Sequence, residues 1–241
     1  AHLSQIALLK KNYKEALHYA NQALDFNTKN ILALSYRYLA QAALNQEEEA
    51  QQTLQRIKTI DPLHHLLSFE AFLQGSLTLD QLRTKHQSEF PYQTFLELAL
   101  LYHNTGFTSK AIKVLEASPK HMLTNLWLAY IKQNQAALEN IFEQSVDFVF
   151  PFRRESVAML QWAATQSNHW KANYLLALNL MGLNQKEKGR ALLEELGSQP
   201  ETANFYWIRA HLTGDVKSQT ARFDLLKAYE KEPKNWRIAL D

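Results

Sequence analysis

Residues 95–119 read FLELALLYHNTGFTSKAIKVLEASP, and this stretch decides the fold class. Apolar residues recur on both sides of Gly106 at the spacing of an amphipathic helix. Glycine adopts the backbone conformations of a tight turn without steric cost, and Pro119 cannot continue a helix. The stretch therefore predicts two helices, over residues 92–105 and 108–117, joined by a short turn.

The same order of helix, polar turn and second amphipathic helix occurs near the start of the chain. The segments NYKEAL (12–17) and NQEEEA (45–50) each open a second helix, and their Ala16 and Ala50 are 34 residues apart. The second of these helices stops before Pro62, because the residue that precedes a proline avoids the α region. A helix pair is thus repeated along the chain.

A helix pair with a 34-residue period resembles the tetratricopeptide repeat family. That family places large apolar and small residues at fixed positions of the two helices, and proline closes the repeat. The resemblance implies an all-α, right-handed α-α superhelix (a solenoid) of antiparallel helix pairs, with some repeats divergent. The clearest repeat carries Phe95, Leu98, Ala99, Tyr102, Gly106, Ala111, Leu115 and Ser118, and two others carry Leu176, Ala177, Leu180, Gly189, Leu193 and Leu196, and Phe205, Ile208, Leu212, Ala221, Leu225, Ala228 and Pro233.

The sequence departs from the family pattern at Arg37 and Arg209, which stand at positions that are usually apolar or small. The first repeat lacks the early half of its first helix, so we expect the chain to be part of a longer protein. We predict one solenoid over residues 1–241, with two repeats in 1–62 (the first truncated), a divergent pair and a repeat in 63–120, divergent helices in 121–168, and two repeats and the start of a further helix in 169–241.

Several short phrases point to a closer resemblance. They occur in a fixed order and are similar to the C-terminal repeat region of a group of large bacterial proteins. In that group the repeats follow a β-sandwich-like domain of unknown function, with a fold related to sugar-binding enzymes. The resemblance implies that a neighbouring domain of the same chain is one partner. The phrases are DPL (61–63), LWLAY (126–130), FPFR (150–153), HWK (169–171) and YLLAL (174–178).

Composition and charge narrow the classes of partner. Six Gly and six Pro make about 5% of the 241 residues, below the usual total of about 12%, so folds rich in tight turns are disfavoured. Each half of the chain carries a net charge of only +1, which gives no support for a nucleic-acid partner. No apolar window is long enough to span a bilayer, so we expect no membrane partner.

The sequence also lacks the usual patterns of catalytic and metal sites. The adjacent pair His64 and His65 would point in different directions on a helix, and no two histidines are spaced to share one helical face. Cysteine is absent, and neither a nucleophile elbow nor a glycine-rich phosphate loop occurs. We therefore expect no metal, no cofactor and no catalytic residue, and we predict that the chain is not an enzyme.

The segment FPFRRE (150–155) is the first candidate for a binding surface. Aromatic rings beside guanidinium groups can form a patch that recognises anions or aromatic groups. The alternative is a packing joint, in which both phenylalanine rings wedge between repeats and the first arginine pairs with a carboxylate or a helix C-terminus. The patch consists of Phe150, Phe152, Arg153 and Arg154.

The second candidate surface follows from the family resemblance, since first helices of these repeats line the concave face. Matching positions are Ser35, Leu39, Gln93, Leu96, Leu100, His103, Lys171, Tyr174, Leu178, Tyr206 and Ala210. They lack the Lys and Asn pair with which chaperone adaptors hold a peptide carboxylate, and they suit a hydrophobic peptide, a helix or a neighbouring domain. We single out Gln93, His103, Lys171, Tyr174 and Tyr206.

These features predict a non-catalytic scaffold that binds a protein, a peptide or a neighbouring domain on the concave face of a solenoid. The first alternative is structural support for an upstream carbohydrate-related domain of the same polypeptide. A second alternative is sugar stacking on Trp127, Trp162 and Trp170, although their positions on apolar helix faces favour core packing.

Overall fold

The computed structural model describes residues 1–212 and 217–239. These residues form sixteen α-helices, one 3-10 helix (Gln135–Ala137) and no β-strand, which confirms the predicted all-α class. Leu240 and Asp241, at the end of the last predicted helix, lie outside the described residues. The helices are α1 (His2–Leu9), α2 (Tyr13–Phe26), α3 (Ile31–Ala43), α4 (Glu47–Ile60), α5 (His65–Leu73), α6 (Leu79–Lys85), α7 (Pro91–Asn104), α8 (Thr108–Ala117), α9 (Met122–Lys132), α10 (Leu138–Phe142), α11 (Ser156–Gln166), α12 (Trp170–Gly182), α13 (Lys186–Glu195), α14 (Ala203–Leu212), α15 (Gln219–Lys231) and α16 (Trp236–Ala239).

Neighbouring helices pack as pairs, as predicted, and one turn recurs inside six of the pairs. Its central residue has a positive φ, between 52° and 97°, and the N–H of the next residue donates to the carbonyl five positions earlier at 2.7–2.9 Å. This is a Schellman-type end, which satisfies carbonyls of the last helical turn. The central residues are Lys11, Asn45, Gly75, Gly106, Gln133 and Asn184.

The same turn also occurs in the two regions that the sequence pattern predicts to be divergent. Gly75 lies between α5 and α6, and Gln133 lies between α9 and the helical turns that follow it. The sequence Thr78-Leu79-Asp80 predicts a cap for a short helix, and α6 begins with one. The Thr78 hydroxyl accepts from the Gln81 N–H at 3.2 Å, and the Gln81 side chain accepts from the Thr78 N–H at 2.9 Å.

The apolar pattern of the sequence predicts helices over residues 136–145 and 152–166, the second with Pro151 in its first turn, and both predictions are wrong in part. The predicted helix 136–145 is a 3-10 turn followed by α10, which ends at Phe142. We also expected Pro151 to begin the next helix, but α11 begins at Ser156. The Pro151 carbonyl accepts a hydrogen bond from the Asn179 side chain at 2.5 Å. The Arg153 carbonyl accepts from the same side chain at 2.9 Å and from the Ser156 N–H at 3.1 Å, where α11 begins.

The described residues group into two compact units, Ala1–Thr124 and Asn125–Asp241, called here the N-terminal and C-terminal units. In the N-terminal unit the first and fourth pairs touch. The Tyr13 hydroxyl donates to the Thr105 carbonyl at 3.1 Å, and a Cβ on Gly106 would collide with that hydroxyl. In the C-terminal unit a Cβ on Gly189 would collide with Met181, so α12 and α13 approach closely at this glycine.

Candidate functional site

The C-terminal unit contains an open groove with a volume of about 690 Å³. Its walls come from the loop after α10, from α12 and α14, and from the segment between α15 and α16. We call this feature the groove. Its lining includes Phe148, Phe150, Phe152, Tyr174, Leu178, Trp207, Ile208, Asp147, Glu232 and Arg237.

One wall of the groove is the connection between α10 and α11, residues 143–155, which we call the strap. Lys171 at the start of α12 holds the first end of the strap. Its ammonium group donates to the carbonyl of Phe142, the last residue of α10, and to the carbonyl of Gln144 at 2.7 Å. A cation at a helix C-terminus is favoured by the unpaired carbonyls and the helix dipole. Burial lowers the pKa of Lys171.

Asn179, two turns further along α12, holds the other end of the strap. It is fully buried, and its side-chain amide donates to the carbonyls of Pro151 and Arg153. Buried backbone carbonyls without a partner are costly, so this amide replaces hydrogen bonds that an irregular segment cannot make to itself. Lys171 and Asn179 together fix the strap on α12.

The strap contains Phe148, an aromatic residue in a backbone conformation that favours glycine. Val149 donates its N–H to the Val146 carbonyl at 3.2 Å, which closes a turn, and Phe148 is the third residue of that turn with a φ of +58°. Glycine or asparagine is preferred at such a position, and a bulky residue there costs about 1–3 kcal/mol. Despite this cost, Phe148 leaves 74% of its surface exposed.

The candidate aromatic patch lies on the strap, and the packing-joint alternative for its phenylalanines is not supported. Val149 and Pro151 point into the unit and are buried, whereas Phe150 and Phe152 are 57% and 56% exposed. The guanidinium of Arg153 lies 5.6 Å from the centre of the Phe152 ring, within the range of a cation–π contact. Arg154 is exposed beside it. Lys171 occupies the C-terminus of α10.

Tyr174 is the predicted groove residue that the structure places at the site. It is buried against the rings of Trp170 and Phe205, at centroid distances of 5.9 and 5.8 Å, and it lines the groove together with Leu178. Burial raises the pKa of Tyr174 to about 12, and the charge of Asp147 acts in the same direction. The structure therefore brings Tyr174 together with Phe150 and Phe152.

Tyr206 was also predicted to meet a partner, but it is a core residue. It is only 1% exposed, and its hydroxyl donates to the Ser198 carbonyl at 3.2 Å.

The two arginines that depart from the repeat pattern have polar partners. The Arg209 guanidinium binds both carboxylate oxygens of Asp224, which is buried on α15, at 2.6 and 2.7 Å. In the N-terminal unit, Arg37 likewise donates to the Thr53 hydroxyl of the paired helix at 3.1 Å.

The two remaining predicted groove residues lie in the N-terminal unit. Gln93 is half-buried on α7 and donates to Glu97 on the same helix at 3.2 Å. His103 lies in the last turn of the same helix, and its buried Nδ1 has no hydrogen-bond partner. Burial and the nearby Lys11 lower the pKa of His103. Neither residue lines the groove.

The interior of the N-terminal unit holds a polar network instead of a groove. Glu70 on α5 is 2% exposed; it binds the Lys110 ammonium through both oxygens at 2.8 Å and accepts from the Tyr102 hydroxyl at 2.5 Å. Lys110 also donates to the Tyr38 hydroxyl at 3.2 Å. We call these four residues the interior network. They come from α3, α5, α7 and α8, so the network joins three successive helix pairs.

The sequence reasoning missed Phe148, Asn179, Trp207 and Ile208 as parts of the site. The available signal for Asn179 was a lone amide within the apolar phrase LALNLM (176–181). Trp127, one of three candidates for sugar stacking, is 3% exposed, while Trp162 and Trp170 are half-buried.

No group of three or more His, Cys, Asp or Glu side chains that could hold a metal ion occurs within the described residues. In the same part of the chain, no helix has the length and apolar character that a membrane span requires.

Comparison with known proteins gives only structural matches. No family model matches the chain, and no curated protein is similar to it. A tetratricopeptide repeat protein from Parabacteroides merdae is 14% identical, with coverage of 98% of this chain and 96% of that one and a TM-score of 0.35. The TPR2AB domain of yeast Sti1 in complex with pHSP90 is 17% identical, with coverage of 99% and 91% and a TM-score of 0.31.

A third match is a chain of the APC/C hetero-tetramer Cut9–Hcn1, which is 13% identical with a TM-score of 0.34. The alignment covers 97% of the present chain but only 46% of the matched one, so this chain spans less than half the length of that protein. At these identities and TM-scores the similarity carries no argument about function, which rests on the chain's own residues.

Proposed function

We propose that the chain is a non-catalytic protein-interaction module that binds an extended apolar segment of a partner protein in the groove of the C-terminal unit. The observation that carries the proposal is the aromatic lining of an open groove whose wall is fixed by Lys171 and Asn179. Because these contacts already hold the site in place, binding carries little additional entropy cost for ordering the groove wall.

The size and chemistry of the groove fit a short peptide segment. Its volume lies within the range of sites that enclose ligands of a few side chains. Phenylalanine, tryptophan and tyrosine provide large rigid contact areas, and such residues dominate the energy of protein interfaces. Leu178 and Ile208 add aliphatic surface, so apolar side chains of the partner would occupy the centre of the groove.

Polar groups at the edge would set the orientation of the bound segment. Asp147 and Glu232 supply negative charge, and Arg237 supplies a positive one. Charges at a rim change the association rate and the choice of partner more than the affinity. The lining has no lysine and asparagine pair for a terminal carboxylate, so the proposed ligand is an internal segment.

The test is selection of binders from a random peptide library, followed by binding measurements with groove variants. Ile208→Glu places a charge among the apolar side chains of the groove, and we expect it to weaken binding more than tenfold. Leu32→Glu is the matched control, because Leu32 is an exposed leucine of the N-terminal unit. Selected peptides that bind both variants equally would exclude the groove as their site.

A spectroscopic measurement locates the peptide independently. Trp207 lines the groove, so peptide binding should change its fluorescence. The change should vanish in Trp207→Phe, which keeps an aromatic ring, while the affinity falls only slightly. If the change persists in that variant, it arises at another of the five tryptophans, away from the groove.

A second candidate function is support of a neighbouring domain of the same polypeptide. The observation that favours it is an apolar stripe on α1, where Leu3, Ile6 and Leu9 are each about half exposed. A solenoid normally covers such end faces. Limited proteolysis of the longest natural chain that contains these residues tests the idea. If a neighbouring domain covers α1, Ile6→Glu should loosen that contact and speed cleavage between the domain and α1. Lys10→Glu is the control and should not change the rate of cleavage.

A further inference from the structure

We infer that the groove also receives a second copy of this chain, with the Phe148 ring of each copy inserted into the groove of the other in a two-fold symmetric dimer. The inference uses the groove of the proposed function but needs no partner protein. Dimerisation and binding of a partner segment would then compete for one surface.

The conformation of Phe148 is the first argument. The turn that carries it favours glycine, yet the chain places a bulky ring there and leaves most of that ring in water. Neither the local backbone nor packing within the described residues of the unit accounts for this choice. A contact with another molecule accounts for the phenylalanine, because that contact would bury the exposed ring.

The arrangement of the surface is the second argument. A two-fold interface brings the same patch of both copies together, so that patch must contain both members of every contact. The strap and the groove meet this condition, since Phe148 protrudes at the edge of a cavity lined by Trp207 and Ile208. The cavity of about 690 Å³ has room for an aromatic side chain.

The exposed area and the charges are consistent with a stable dimer. Phe148, Phe150 and Phe152 together expose about 370 Å² of apolar surface, taking about 200 Å² for a full ring. That is nearly half of the roughly 800 Å² that each partner of a stable interface buries, before the groove walls are counted. Asp147 and Arg237 lie on the same surface, so two copies can oppose unlike charges.

Sedimentation equilibrium of the 241-residue chain, between about 1 and 200 µM, measures the dimer directly. We expect concentration-dependent dimerisation that Phe148→Asp weakens at least tenfold. Phe26→Asp is the control, because Phe26 is 94% exposed on α2 of the N-terminal unit and lies outside the groove. A chain that stays monomeric throughout, or a dimer that Phe148→Asp leaves unchanged, overturns the inference.

A second variant separates loss of the interface from loss of folding. Phe148→Gly suits the positive φ, so the melting temperature of the monomer should rise by about 2–4 °C while the dimer is lost. A merely structural role for the ring predicts the opposite change in melting temperature. Retention of the dimer in Phe148→Gly would contradict the inserted ring.

The absence of cysteine allows a direct test of the contact. Differently tagged Phe148→Cys and Ile208→Cys chains are mixed and oxidised, and we expect a mixed disulfide between them. Phe26→Cys mixed with Ile208→Cys should give none. If the chain is monomeric but selected peptides still bind the groove, the proposed function stands and the dimer does not.

Discussion

The N-terminal and C-terminal units are built from the same helix pair and the same positive-φ turn, but their interiors differ. In the N-terminal unit, Lys110 reaches Glu70 and Tyr38, so side chains of the unit itself fill the space between its helix pairs. In the C-terminal unit, α12 and α14 leave an open groove. The difference teaches that one repeat architecture can enclose a polar interior in one unit and leave an open groove in the other.

Chain length between the pairs is one physical reason for the difference. The connection between α8 and α9 is short, whereas the strap between α10 and α11 is long enough to form a wall of its own. Long irregular connections in compact units are unusual and commonly functional. The side chains of Lys171 and Asn179 supply the hydrogen bonds that let this connection stay ordered.

The largest expected effect is the loss of the interior network. Lys110→Met removes the cation that binds the buried Glu70 carboxylate, so the charge is left without its partner. Breaking a buried ion pair in this way costs about 3 kcal/mol. We expect the free energy of unfolding of the N-terminal unit, measured with urea, to fall by that amount.

The control for this variant is Lys113→Met, which changes an exposed lysine of the same helix and should cost less than about 0.5 kcal/mol. The double variant Glu70→Met, Lys110→Met should recover part of the loss, since it leaves no unpaired charge. Equal stability of the two single variants would show that the network does not hold this interior together.

The second prediction concerns the pH dependence of the N-terminal unit. Burial, with His65 and Lys85 nearby, lowers the pKa of His86 from 6.5 to about 4. Its Nε2 lies 2.7 Å from the Ser68 hydroxyl, which already donates to the His65 carbonyl, so the neutral ring donates there. As the pH falls, His86 of the unfolded chain takes up a proton near pH 6.5, whereas His86 of the folded chain does so only near pH 4. The free energy of unfolding therefore falls between pH 6.5 and pH 4, by up to about 3 kcal/mol.

Urea midpoints measured at several pH values between 7.5 and 4 test this prediction. His86→Gln keeps a side chain that can donate to Ser68 but has no proton to take up, so its stability should depend less on pH in this range. An unchanged slope in His86→Gln would assign the pH dependence to other groups.

The third prediction concerns the strap of the C-terminal unit. Asn179→Leu removes the amide that binds the Pro151 and Arg153 carbonyls. The buried Pro151 carbonyl then loses its donor, whereas the Arg153 carbonyl still accepts from the Ser156 N–H at 3.1 Å. We expect a loss of about 2 kcal/mol in unfolding free energy, together with faster hydrogen exchange in residues 143–155. Asn173→Leu, a change on the same helix at a half-buried position outside the groove lining, is the control.

If Asn179→Leu lowers stability without a change in exchange of the strap, the amide supports the core of the unit and not the groove wall. Selected peptides should also bind this variant more weakly than they bind wild type. The N-terminal unit should unfold as before, since its network shares no residue with the strap.

The helices could be predicted from the sequence because their apolar periodicity is local. The predicted helices 92–105 and 108–117 differ from α7 and α8 by at most one residue at either end. The strap could not be predicted, because Asn179 and Pro151 are 28 residues apart and only the fold brings them together. The burial of Tyr206 could not be predicted for a similar reason, because the hydrogen bond from its hydroxyl to the Ser198 carbonyl is not visible in the sequence.

The smallest expected effect tests what the two units have in common. Lys11 in the N-terminal unit and Gln133 in the C-terminal unit both adopt positive φ, at 61° and 52°, and both are exposed. Replacing either by glycine removes backbone strain but adds entropy to the unfolded chain, so a net gain of about 0.5–1 kcal/mol is expected. Asn45→Gly should gain less, because asparagine tolerates this conformation. A gain at Lys11 without one at Gln133, in urea unfolding, would mean that the two units share the shape of the turn but not its energetics.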